Sequence, residues 1–189
     1  MALVVEDGTA KTDAESYVSV ADADTYFSNR GNAAWAALTT EQKEQALRKA
    51  TDYLVAVYRL RWKGRRVSQD QALDWPRYDA YIITDPFHTS GILADDWLIA
   101  ADVVPVEVER ACAELAVRAA GDTLIEDLDL TDARGSVVKQ KAGSVEIQYK
   151  NDHELSNVKK FPLVERLLDP LIEGENASRY GGTIEVTRA

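Results

Sequence analysis

Along residues 39–60 the apolar positions recur with the period of a helix. Ala46, Leu47, Ala50, Tyr53, Leu54, Val57 and Tyr58 fall on one face, and Gln45, Arg48, Lys49 and Asp52 on the other. Thr39 and Gln42 have capping-box spacing, so the helix is predicted to start there and to end near Leu60. An earlier helix is predicted from Ser19. Ser19 and Asp22 share the same spacing, Ala23, Tyr26 and Phe27 share a face, and Gly31 offers a stop. Pro105 suits the first turn of a third helix, whose apolar face is Val108, Ala111, Cys112, Leu115, Ala116 and Ala119. Glu114 and Arg118 form a favourable pair on its outer side, and Gly121 ends it.

The period then changes. Val145, Ile147 and Tyr149 alternate with Glu146, Gln148 and Lys150, which predicts a hairpin over residues 136–150 turning at Ala142-Gly143. Only one face is apolar, so the ribbon needs cover from the domain or from a neighbouring subunit. Pro162 opens a short last helix carrying Leu163, Val164, Leu167 and Leu168, limited by Pro170. The first eighteen residues read as extended. Residues 78–104 have no clear period and read as a long loop with short helical pieces near Trp97. The fold class is therefore mainly α: a small helical bundle with one β-hairpin over residues 1–173, followed by an extended arm over 174–189.

The chain has 189 residues, 46% of them hydrophobic, which suits one packed domain with arms. No run approaches the roughly 20 apolar residues of a membrane span, and no signal peptide is read at the N-terminus. Catalysis has little to stand on. Cys112 lies on an apolar helical face, where a buried thiol is expected. Asp85, His88, Asp95 and Asp96 could be drawn as a metal cluster, but neither ligand spacing nor a supporting shell is evident, and a solvated loop is preferred. Asp22 and Asp24 lack the remainder of a calcium loop, and no phosphate-binding, nucleophile-elbow or dinucleotide fingerprint is present. The expectation is a non-enzymatic protein without cofactor or metal.

One stretch raises a sharper question. Residues 59–66 read RLRWKGRR, five basic residues around a tryptophan. Basic residues interleaved with an aromatic bind single strands by phosphate pairing and base stacking. The alternative is structural: Trp62 packs on the end of the second helix, Gly64 permits a turn, and the cations pair with acids. Leu73, Trp75 and Pro76 then anchor the loop's exit. The net charge of −10, from 32 acidic and 22 basic residues, favours the structural reading, because the overall field repels a polyanion. The acidic run Asp122, Glu126, Asp127, Asp129 and Asp132 reads as a solvated loop, or else as a surface that docks on a basic patch such as 59–66 of a sister copy.

Six motifs occur in order: A-D-x-Y (23–26), R-G-N-x-x-W (30–35), A-T-D-Y-L (50–54), R-W-K-G-R-R (61–66), Q-x-L-x-W-P-R (71–77) and P-x-x-V-x-x-A-x-x-E-L-A (105–116). Together, over residues 5–171, they resemble the tailed-phage proteins labelled DnaT-like single-stranded-DNA-binding protein, a pattern that also resembles phage head–tail connector (adaptor) proteins. The connector resemblance implies a ring beneath the portal, a dodecamer, joining the DNA-filled head to the tail. Its partners would be the portal protein, head-closure or tail proteins and copies of itself, with genomic DNA passing unbound through the channel. The location would be the virion neck, after host cytoplasm during assembly, with no membrane. The DNA-binding label implies a replication accessory, and a small regulatory protein in the host cell is a third option.

On the connector reading, Trp62, Gly64, Trp75 and Pro76 shape a structural loop. Arg61, Arg65, Arg66, Val145, Ile147 and Tyr149 serve subunit contacts. Tyr180, Ile184 and Val186 anchor the arm on the portal. The stretch 78–104 is longer than in the family, which leaves its role open.

Overall fold

The computed structural model describes residues 2–82, 97–125 and 159–173, together with the backbone of strands 139–142 and 145–148. It is mainly helical. In chain order the elements are α1 (Val20–Ser28), α2 (Ala33–Ala36), α3 (Thr40–Tyr58), β1 (Arg65–Arg66), β2 (Arg77–Tyr78), β3 (Tyr81–Ile82), β4 (Trp97–Leu98), α4 (Val106–Ala119), β5 (Lys139–Ala142), β6 (Val145–Gln148) and α5 (Pro162–Leu168). A 3₁₀ turn over Asp169–Leu171 follows α5. Three antiparallel pairs, β1–β2, β3–β4 and β5–β6, account for the strands among the described residues.

The helix starts are chemically specified. Ser19 Oγ accepts the Asp22 N–H at 3.1 Å and caps α1. Thr39 and Gln42 form the full reciprocal capping box of α3. Helices α3 and α4 make the most extensive packing in the fold, and α5 lies against α4. Small residues are buried on both helices: Ala46 and Ala50 on α3, Ala111 and Ala116 on α4, all 2% exposed or less. Short side chains let two helix backbones approach closely, while Leu47, Leu54 and Leu115 supply the apolar bulk. The six α4 positions assigned to an apolar face are all buried. Cys112 is among them, its thiol 3.4 Å from Thr51 Oγ1, and burial pushes its pKa up. The Glu114–Arg118 ion pair closes at 2.8 Å.

Two local predictions change and one element is added. The N-terminal eighteen residues are not simply extended. The Glu6 carboxylate accepts from the backbone N–H groups of Gly8, Ala10 and Lys11 at 2.8–3.0 Å and winds the chain into a compact turn. Gly8, at φ +96°, sits where a Cβ would lie 1.9 Å from the Asp102 carbonyl oxygen. Around Trp97 the chain is strand, not helix. Leu98 and Trp97 pair with Tyr81 and Ile82, and the Ile99 N–H donates to Ala80 O at 2.9 Å. The added element is a short helix, α2, capped by Asn32 and burying Trp35 against Phe27. The metal candidates Asp85, His88, Asp95 and Asp96 lie outside the described residues. Among the described residues no group of three or more metal-binding side chains occurs, and no helix is long and apolar enough to cross a membrane.

Thr39→Ala removes the α3 cap and is expected to cost about 1 kcal/mol of unfolding free energy by denaturant titration. The buried tyrosines set an alkaline limit. Burial raises the pKa of Tyr17, Tyr53 and Tyr58, the last to about 12. A raised folded-state value means this stabilisation is complete below the unfolded value of about 10 and is lost as pH rises through the folded values. Tyrosinate absorbance is therefore expected to show a late step coincident with loss of helical circular dichroism. Early, reversible ionisation of all eight tyrosines in a folded chain would contradict the packing.

Candidate nucleic-acid interface: the basic–aromatic loop

The stretch that reads as a nucleic-acid grip begins where α3 ends. Trp62 is fully buried. Its ring stands 5.7 Å from Tyr58 and 5.8 Å, edge-on, from Trp75. With Tyr53 and Phe161 these rings form a continuous aromatic row from the start of α5 to the Trp75-Pro76 turn, whose peptide bond is cis. Aromatic pairs at such spacings contribute beyond their area burial. A base has no face of Trp62 on which to stack.

The cations are also engaged within the chain. Arg59 Nε reaches Asp74 Oδ1 at 3.1 Å, with that carboxylate almost fully buried. The Arg61 guanidinium lies 5.1 Å over the Tyr58 ring. Lys63 Nζ donates to the Pro170 carbonyl at 2.8 Å and lies 4.5 Å above Tyr81. Arg65 pairs with Asp79 at 3.2 Å and lies 5.4 Å over Tyr78. Arg66 donates to the Gln71 carbonyl. Arg65 is the most open of the five, and its pair with Asp79 is solvent-exposed on both sides, so it contributes little to stability.

Gly64 makes this path possible. Its φ is +70°, and a Cβ there would meet the Tyr78 carbonyl at 2.2 Å. The chain crosses so closely because Arg77 draws it in. Arg77 is 4% exposed and donates to three backbone carbonyls: Lys63 at 2.8 Å, Gly64 at 2.6 Å and Asp74 at 3.1 Å. Gln71 organises the turn from its other side. Its Nε2 donates to the carbonyls of Leu73 and Pro76, and its Oε1 accepts the Ser68 N–H. Tyr17 closes the arrangement, its hydroxyl accepting the N–H groups of Asp74 at 2.9 Å and Trp75 at 3.4 Å.

The loop also fastens the end of the described fold. Trp62 and Ile172 form an antiparallel bridge. Lys63 N–H donates to Leu171 O at 3.0 Å, and Glu173 N–H to Arg61 O at 2.7 Å.

Trp62, Gly64, Trp75 and Pro76 thus come together in one loop, with Arg65 exposed on it and Arg61 and Arg66 half-buried. Tyr149, Tyr180, Ile184 and Val186 lie outside the described residues, as do the side chains of Val145 and Ile147. Arg77, Gln71 and Tyr17 escaped the sequence reading as functional positions. Arg77 and Gln71 stand inside the Q-x-L-x-W-P-R motif, but nothing in the spacing says that a guanidinium will turn inward onto carbonyls.

A family sequence pattern described as "Putative DnaT-like ssDNA binding protein" matches residues 1–189, and the chain belongs to that family. No curated protein and no solved structure matches it.

Arg77→Lys keeps the charge but loses the fork that spans three carbonyls. It is expected to cost on the order of 3 kcal/mol in denaturant unfolding. Arg65→Ala, at an exposed pair, is expected to stay within about 0.5 kcal/mol of the parent. Equal effects of the two would contradict the inward role of Arg77.

Proposed function

We propose that the chain is a structural head–tail adaptor of a tailed phage. Subunits assemble as a ring below the portal, with head-closure or tail proteins on the other side and the genome passing through without specific binding. It works in the virion neck, after assembly in the host cytoplasm, with no chemistry and no cofactor. The observation that carries this reading is the inward use of the basic–aromatic stretch. Trp62 is fully buried and each of the five neighbouring cations already has an intrachain partner. The net charge of −10 adds to it, since a negative surface lets DNA pass without adhering. The ordered motif series, with its resemblance to connector proteins, supplies the prior.

On this reading Arg61, Arg65, Arg66 and the hairpin residues Val145, Ile147 and Tyr149 meet the next subunit. A ring requires such heterologous contacts. Tyr180, Ile184 and Val186 anchor residues 174–189 on the portal, adding a strand to a partner sheet. The test is co-sedimentation with purified portal rings. The full chain is expected to bind. A chain ending at Glu173 is expected to keep its helical circular dichroism and lose attachment. Binding that survives truncation would overturn the arm's role, and no binding by the full chain would overturn the portal contact.

A second reading is favoured by the family description, which names single-stranded DNA binding. The surface available to it differs from the one the sequence points to. Tyr78 is 42% exposed beneath Arg65, and Trp97 is 73% exposed. Titration with oligothymidylate at low salt separates the readings. The adaptor reading predicts no saturable binding. Salt-sensitive binding lost in Tyr78→Ala and Trp97→Ala would establish the second reading instead.

A further inference from the structure

A cleft of about 530 Å³ lies between α5 and the end of α3. Its walls carry three cations, Arg61, Lys160 and Arg166, and three carboxylates, Glu165, Asp169 and Glu173. Ile172 contributes apolar surface. A cleft with both signs of charge is a poor seat for a uniformly charged strand, because every favourable contact to a polyanion is matched by a repulsive one. It suits a short peptide that carries both signs.

Such a peptide begins at the cleft itself. Glu173 lines the wall and is the last residue of the 159–173 segment. The chain leading to it is already fastened to 61–63 by the Trp62–Ile172 bridge and its flanking hydrogen bonds. Residues 174–189 then follow, with Glu175 and Glu185 against Arg179 and Arg188. They balance two carboxylates with two cations, as the cleft balances three with three, and they carry three apolar residues, Tyr180, Ile184 and Val186, to match its apolar part. Fully extended, this segment reaches on the order of 50 Å, far more than a return to the cleft requires. Tethering at the cleft's edge gives an effective concentration in the millimolar range, so weak contacts suffice to hold it.

We infer that residues 174–189 dock in this cleft in cis, so that the free chain covers its own arm. The docking deepens the adaptor reading, on which the arm's later transfer to the portal rests. A self-covered arm gives the free chain a reason not to assemble ahead of its partner, because the same residues cannot serve the cleft and a second sheet at once.

The test places a nitroxide at Thr187→Cys in the full isotope-labelled chain, where fully buried Cys112 stays unlabelled. Amide signals of Arg61, Arg166 and Asp169 are expected to lose intensity selectively, while α1 signals keep theirs. High salt and the Arg166→Glu variant are each expected to restore the lost intensity, with unchanged α3 and α4 shifts confirming that the variant is folded. Uniform or absent broadening would overturn the proposal. So would broadening seen only when labelled and spin-labelled chains are mixed, since that places a neighbour's arm in the cleft. The readout needs neither phage nor portal, so failure of the adaptor reading leaves it intact.

Discussion

A single buried guanidinium organises the middle of this protein. Arg77 holds the carbonyls of Lys63, Gly64 and Asp74, and through them ties the exit of α3 to the Trp75-Pro76 turn. A buried carbonyl left without a donor is costly, and here one planar, permanently charged group satisfies three. Once the chain is drawn into that position, Trp62 has nowhere to go but inward, against Tyr58 and Trp75. Lys63 follows it and reaches the carbonyls of Tyr81 and Pro170. Ile172 then bridges to Trp62, with hydrogen bonds from Lys63 to Leu171 and from Glu173 to Arg61 on either side. The end of the described fold is thus fixed by the same loop that α3 feeds.

This explains how a stretch so rich in arginine coexists with a net charge of −10. The cations are internal fasteners. Asp74 and Asp79 take two of them, carbonyls take two, and the Tyr58 ring takes one. The loop still leaves the Arg65–Asp79 pair over Tyr78 exposed, together with Leu60 and part of Arg59. The family description names single-stranded DNA binding, and the geometry takes Trp62 out of reach of a base. Among the described residues, Tyr78 and Trp97 offer exposed rings to a single strand, and Trp62 does not.

The helices were legible because their signals are local and periodic. Ser19 and Thr39 cap where their spacing says, and the α4 face of Val108, Ala111, Cys112, Leu115, Ala116 and Ala119 is buried in full. The structural reading of Trp62 and Gly64 followed from charge balance and from what a turn requires. What stayed hidden is non-local. Two-residue strands such as Tyr81–Ile82 and Trp97–Leu98 are too short to show a period, and their pairing spans residues 83–96. The Glu6 turn rests on one carboxylate gathering three N–H groups, a contact that leaves no pattern in the sequence. The inward fork of Arg77 is of the same kind: a motif position was visible, its direction was not.

The proposal built on these observations is that the chain serves assembly rather than nucleic-acid binding. Quantitative mass spectrometry of purified virions, scaled to the portal protein, tests it most directly. The account predicts a copy number close to that of the portal. Absence from virions, with abundance in infected cells, would contradict it and return attention to the exposed Arg65–Tyr78 stack.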